Sequence, residues 1–153
     1  MKPDRDSAAL LDELRALYVE VDAKFAGAAC PGSTECCRFG ITGRRPYLTS
    51  IEEALVRRAL AEGGFGRGQA PRRRALPLVA NRDERPCPLL DANGRCRVYA
   101  ARPFGCRTFY CERATGELPK RGELRPLLRR LQTLAVRHGT GGELGRPIDR
   151  IFR

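Results

Sequence analysis

Seven cysteines in two tight groups are the residues of this chain best suited to chemistry. The first group is the stretch Cys30-Pro31-Gly32-Ser33-Thr34-Glu35-Cys36-Cys37, and the second is Cys87, Cys96, Cys106 and Cys111, spaced C-x8-C-x9-C-x4-C. Thiolates are soft ligands that select zinc, iron in clusters or Cu(I), and a tetrahedral zinc site or an iron-sulfur cluster takes about four of them. The seven therefore complete one four-ligand site with thiols to spare, whereas two sites need an eighth ligand. The only histidine, His138, closes a predicted helix, where a histidine more often serves the helix dipole than a metal. An odd number of cysteines cannot all pair within one chain, and disulfides are rare in a reducing compartment. The spacings match neither a zinc finger nor a ferredoxin run, both of which use C-x2-C steps, so spacing alone leaves the metal open.

The elements around these thiols must bring them together. Asp91-Ala92-Asn93-Gly94 has the chemistry of a tight turn, because Asn and Gly tolerate positive φ, and it is flanked by Pro88-Leu89-Leu90 and Val98-Tyr99. A small hairpin there brings Cys87 close to Cys96, and Arg102-Pro103 ends its second strand and launches the segment with Cys106 and Cys111. These four are the first choice of ligands, with Cys30, Cys36 and Cys37 completing or adding to the site. Neighbours in an extended strand point to opposite sides, so Cys36 and Cys37 are expected to serve different sites or to divide between ligand and core. Arg97, Arg102 and Arg107 stand beside the thiols in sequence, and cationic surroundings lower a cysteine pKa and offset thiolate charge.

The scaffold reads as helical. Leu10, Leu11, Leu14, Leu17, Tyr18, Val21 and Phe25 recur at helical spacing and predict an amphipathic helix over about residues 7–26. Thr49 and Glu52 have the spacing of a capping box and start a helix that runs to about Ala61, with Ile51, Leu55 and Ala59 inward. A third helix is predicted over about residues 123–138, with Leu124, Leu127, Leu128, Leu131, Leu134 and Ala135 on one side and Pro126 in its first turn. Ala75 to Ala80 is a strand candidate weakened by Pro77. Glu62 to Gly68 reads as a flexible connector, since no phosphate-loop motif accompanies its glycines. Ile148, Ile151 and Phe152 are expected to tuck the C-terminal end onto the core. The fold class is thus α+β: a small single domain over residues 1–153, with helices around a short β-hairpin and cysteine-bearing loops that form a metal site.

No segment has the length of a membrane span and the N-terminus lacks a signal pattern, so a cytoplasmic protein with no membrane partner is expected. The net charge of +11 suits a polyanion, but all except three of the 29 basic residues are arginine, a bias that coding composition also produces. One alternative is accordingly a basic nucleic-acid-binding module with a structural zinc, using Arg72, Arg73, Arg74, Arg125, Arg129, Arg130 and Arg137. Another is an iron-sulfur-dependent oxidoreductase or modification enzyme, although no paired catalytic carboxylates, Ser-His-Asp set or cofactor loop stands out.

Cys36-Cys37 preceded by another cysteine, then Cys87-Pro88-Leu89, Gly94-Arg95-Cys96-Arg97-Val98-Tyr99, Arg102-Pro103 and Cys106-Arg107-Thr108-Phe109, resemble the YkgJ-like cysteine-cluster family of zinc- or iron-chelating domains. The likeness spans about residues 30–111. It implies a small cytoplasmic bacterial protein that binds iron, as an iron-sulfur cluster such as 4Fe-4S, or zinc. Relatives are fused to, or act near, flagellin lysine methylation, which implies a protein partner. The commoner first group reads C-x2-C-x2-C-C, whereas Ser33 stands here where that pattern has a cysteine. The missing ligand counts against a two-site arrangement more than against a single site.

Overall fold

A computed structural model describes residues 5–30, 35–63, 84–92, 94–111, 113–139 and 145–152. The strand candidate at 75–80, Arg72, Arg73 and Arg74, and most of the predicted glycine connector lie outside the described residues. The architecture is α+β: among the described residues, five α-helices with a two-stranded antiparallel ladder.

The periodic stripe near the N-terminus forms α1, Arg5–Lys24, and all seven of its predicted apolar positions from Leu10 to Phe25 are buried. They pack against Ile51 and Leu55 of α3, Ser50–Glu62, and against Leu127, Leu131, Leu134 and Ala135 of α5, Arg121–His138. Arg137 holds Glu13 with both terminal nitrogens, and Arg130 holds Glu20 in the same way. Residue numbers rise along α1 as they fall along α5 in these pairs, so the two helices run antiparallel. Two of the arginines expected to face a polyanion are thus engaged by carboxylates, while Arg125 and Arg129 remain exposed.

Two details of α5 differ from expectation. The helix begins at Arg121, where the Lys120 amide donates to Glu123 Oε2 at 2.7 Å, so Pro126 falls in the second turn. Leu128 turns outward at 41% exposure, because the buried stripe follows positions 127, 131, 134 and 135 instead.

A second core lies beside the first. Phe39 of α2 (Phe39–Thr42), Leu48, Val56, Leu89, Val98, Ile148 and Ile151 are buried together with Cys87, and Cys37, Cys96 and Cys106 pack against them. The C-terminal end does fold back: the Leu48 amide donates to the Arg146 carbonyl and the Ile148 amide to that of Pro46, both at 2.9 Å. Phe152, expected to tuck in with them, stays 56% exposed.

The regular ladder is not where the sequence placed it. β1, Ala28–Ala29, pairs with β2, Thr115–Gly116, and so closes the chain around the whole cysteine region. A Cβ on Gly116, at φ +87°, would stand 2.0 Å from the Gly27 carbonyl oxygen, so the approach of the two segments requires glycine. The predicted hairpin survives as a tight turn with a single antiparallel bridge, Leu90 to Cys96. Gly94 adopts φ +75° there, its amide donates to the Asp91 carbonyl, and the Arg97 amide donates to that of Leu89. The second strand stops early because Tyr99–Ala101 coils into a 3₁₀ turn.

Candidate metal centre

Backbone pairing brings the two cysteine groups together. The Cys87 amide donates to the Cys37 carbonyl at 2.7 Å, and the neighbouring Phe39 amide to that of Arg85 at 3.1 Å, beside an Arg38 to Pro86 bridge. Cys96 joins through its bridge to Leu90. Cys106 arrives on α4, Phe104–Arg107, whose start is set by Pro103 as its N-cap and by the Phe104 amide donating to buried Glu52 Oε1 at 2.7 Å.

Glu52 is the hub of this arrangement. It closes the predicted capping box with Thr49, whose amide and hydroxyl both donate to Oε2 at 2.9 Å, and it also accepts from Tyr18 Oη at 3.0 Å. One carboxylate therefore ties α1, α3 and α4 together, and its 2% exposure is tolerable because four donors satisfy it. Burial and that carboxylate together push the Tyr18 phenol upward.

Cys36 and Cys37 do not oppose each other as an extended strand would require. Glu35–Cys37 forms a 3₁₀ turn, and the two sulfurs stand 3.9 Å apart. The pair sheds one proton early and keeps the other. A thiol hydrogen bond from Cys37, aided by the charges of Arg44 and Arg102, brings Cys36 down to about 6, and the same bond together with burial pushes Cys37 up. Burial lifts Cys87 to about 12 and Cys106 to about 11, and it also raises Cys96. Cys87 is buried in the second core with Cys37, Cys96 and Cys106 packed against it, and Cys36 stands beside Cys37, which puts these five thiols in one neighbourhood.

The expected quartet is divided differently. Cys87, Cys96 and Cys106 sit with Cys36 and Cys37, whereas Cys111 follows Tyr110, whose ring stacks on Phe25 at 4.8 Å, and the Cys111 carbonyl accepts from the Ala114 amide. Cys30 directly follows β1, is exposed, and acts on Tyr110, the residue before Cys111. No disulfide links any of the seven. His138 stands at the far end of α5 with Nδ1 3.4 Å from Ser50 Oγ.

The surrounding arginines also have separate tasks. Arg102 favours the thiolates of Cys36 and Cys96, as its position in sequence suggests. Arg107 turns away from the thiols: it is 5% exposed, bonded to Asp22 Oδ2 and to the carbonyls of Arg102 and Ala100, and stacked over the Tyr18 ring. It is a strut between α4 and α1. Arg44 was not foreseen. Its guanidinium donates to the Cys36 and Gly105 carbonyls at 3.3 and 2.8 Å and lies 3.7 Å over the Phe109 ring, stapling the first cysteine loop to α4. Only its place eight residues after Cys36 hinted at that.

The donor chemistry fits a soft metal: five thiols, two nearby guanidinium groups and a half-buried setting. Among the described residues no three histidine, cysteine, aspartate or glutamate side chains already stand at ligating separation.

Comparison with known families agrees with this chemistry. Residues 29–123 match the family called CxxCxxCC, described as "Putative zinc- or iron-chelating domain", and the chain belongs to that family. The match runs from β1 to the first turn of α5 and includes all seven cysteines. It supports metal binding and leaves zinc and iron as the candidates. No curated protein and no solved structure matches the chain. Among the described residues no helix is long and apolar enough to cross a membrane.

Proposed function

We propose that this protein is a zinc- or iron-chelating protein in which Cys36, Cys37, Cys87, Cys96 and Cys106 supply the ligands, with Cys30 and Cys111 as a separate, outer pair. The observation that supports this reading is the clamp between the Cys37 carbonyl and the Cys87 amide, which brings the backbones of cysteines from the two groups together. Iron held there as an iron-sulfur cluster would supply one-electron chemistry, and zinc would supply a structural tie. The protein's own part is to present thiols from three backbone segments, to lower the cost of the first deprotonation at Cys36, and to balance thiolate charge with Arg44 and Arg102.

Metal analysis of protein purified without oxygen tests the reading. Iron with matching acid-labile sulfide and visible absorption supports a cluster, and stoichiometric zinc in a colourless protein supports a zinc site. Protein that takes up neither metal, even on reconstitution, refutes both. Replacing Cys87 or Cys106 with serine should abolish stoichiometric loading, while the same change at Cys30 should leave most of it.

A further inference from the structure

Between α1 and the Tyr99–Ala101 turn lies a cavity of about 300 Å³. α1 lends it Arg15, Val19 and Asp22, and the opposite wall includes Tyr99, Arg102 and Arg107. Three guanidinium groups thus share the lining with a single carboxylate. Two of them are already matched, Arg15 to Asp12 at 2.7 Å and Arg107 to Asp22 at 2.6 Å.

Arg102 is different. Among the described residues it has no ion-pair partner, and its Nε is buried without an acceptor. Its guanidinium carbon lies 3.9 Å over the Tyr99 ring, a cation–π contact that holds the head of the side chain at the cavity wall. The planar guanidinium fork is the arrangement that recognises an oxyanion through two parallel hydrogen bonds. Tyr99 and Val19, 61% and 69% exposed, border the cavity and give it an apolar wall. The volume is at the lower end for small-molecule sites, about 300 Å³.

We propose that this cavity binds a small organic carboxylate with an apolar body, the carboxylate held by the terminal nitrogens of Arg102 and the body laid against Tyr99 and Val19. The cavity includes none of the cysteines, but it shares Arg102 with the surroundings of the metal centre. Because Arg102 also acts on Cys36 and Cys96, the cavity lies next to the thiols without including them.

The test is a titration of the full chain with benzoate, and in parallel with inorganic phosphate, followed by amide nuclear magnetic resonance shifts. Benzoate should give saturable shifts centred on Val19, Tyr99 and Arg102, and phosphate should bind at least about tenfold more weakly, since it cannot use the apolar wall. Arg102→Gln should cost at least about tenfold in benzoate affinity, the factor expected for one charged hydrogen bond. Val19→Glu, a change at an exposed position that leaves the packing intact, should cost a similar factor by placing a negative charge on the rim, and it decides the matter if Arg102→Gln does not fold. Absence of saturable shifts with benzoate, phosphate binding as tight as benzoate, or undiminished benzoate binding by the folded variants would overturn the proposal.

Discussion

In the core formed by α1, α3 and α5, nearly every buried residue comes from a helix face, and the contacts are aliphatic or aromatic. In the core beside it, buried residues come from α2, α3, a tight turn, a 3₁₀ turn and the C-terminal end, and thiols take the place of some of the aliphatic groups. The first holds together by area removed from water, which needs no partner from outside. The second is held by isolated backbone bridges and by arginine staples, while Glu52, bonded to Tyr18 and Phe104 of the first core, fixes the start of the helix that carries Cys106 into the second. Apolar burial is non-directional, so it sets the scaffold. The directional bonds place the sulfurs.

Substitutions separate the two regions. The largest effect is expected from Leu17→Ala: Leu17 is fully buried, and such truncations cost about 2–5 kcal/mol. Urea unfolding should show that loss equally in metal-free and metal-loaded protein, and a loss confined to the loaded form would break the distinction between the cores. Glu52→Gln comes next, at about 1–3 kcal/mol, because an amide in place of the carboxylate weakens bonds from four donors and turns a donor toward some of them. This variant should also lower metal loading, because the start of α4, and with it Cys106, is released. Unchanged loading would sever the proposed link between the hub and the site.

The pH dependence of the metal-free protein follows from the raised thiols. Cys87 and Cys106 stand at about 12 and 11, against about 8.5 for an unperturbed thiol. The unfolded chain therefore loses these protons first, and the stabilisation from burying neutral thiols, complete below about pH 8.5, fades as pH climbs toward 11 and 12. Metal affinity runs the other way and falls in acid, because each ligating thiol must surrender a proton. Denaturant midpoints across pH, with and without metal, should diverge on the alkaline side, and parallel curves would contradict the buried-thiol picture. The smallest effect is expected from Arg137→Ala, since its pair with Glu13 is exposed. Its shift in midpoint should be the least of the series and should shrink further in high salt.

The helical scaffold was legible in the sequence because burial imposes a period: the stripe from Leu10 to Phe25 and the Thr49–Glu52 capping box both stand where they were expected. The arrangement of the thiols was only partly legible. That Cys36 and Cys37 face each other depends on a 3₁₀ turn that two adjacent cysteines do not announce. That Arg44 and not Arg107 attends the thiols depends on which way α4 rolls, and this is fixed by Glu52 and Asp22 from distant segments. The ladder between Ala28 and Gly116 was invisible for the same reason, since two-residue strands carry no alternation to detect.

X-ray absorption at the metal edge of anaerobically purified protein tests the central claim most directly. The account predicts a first shell made mainly of sulfur, at about 2.3 Å for zinc, that is lost in Cys87→Ser and retained in Cys30→Ser. A first shell of nitrogen and oxygen alone, or one that does not change when Cys87 is replaced, would contradict it.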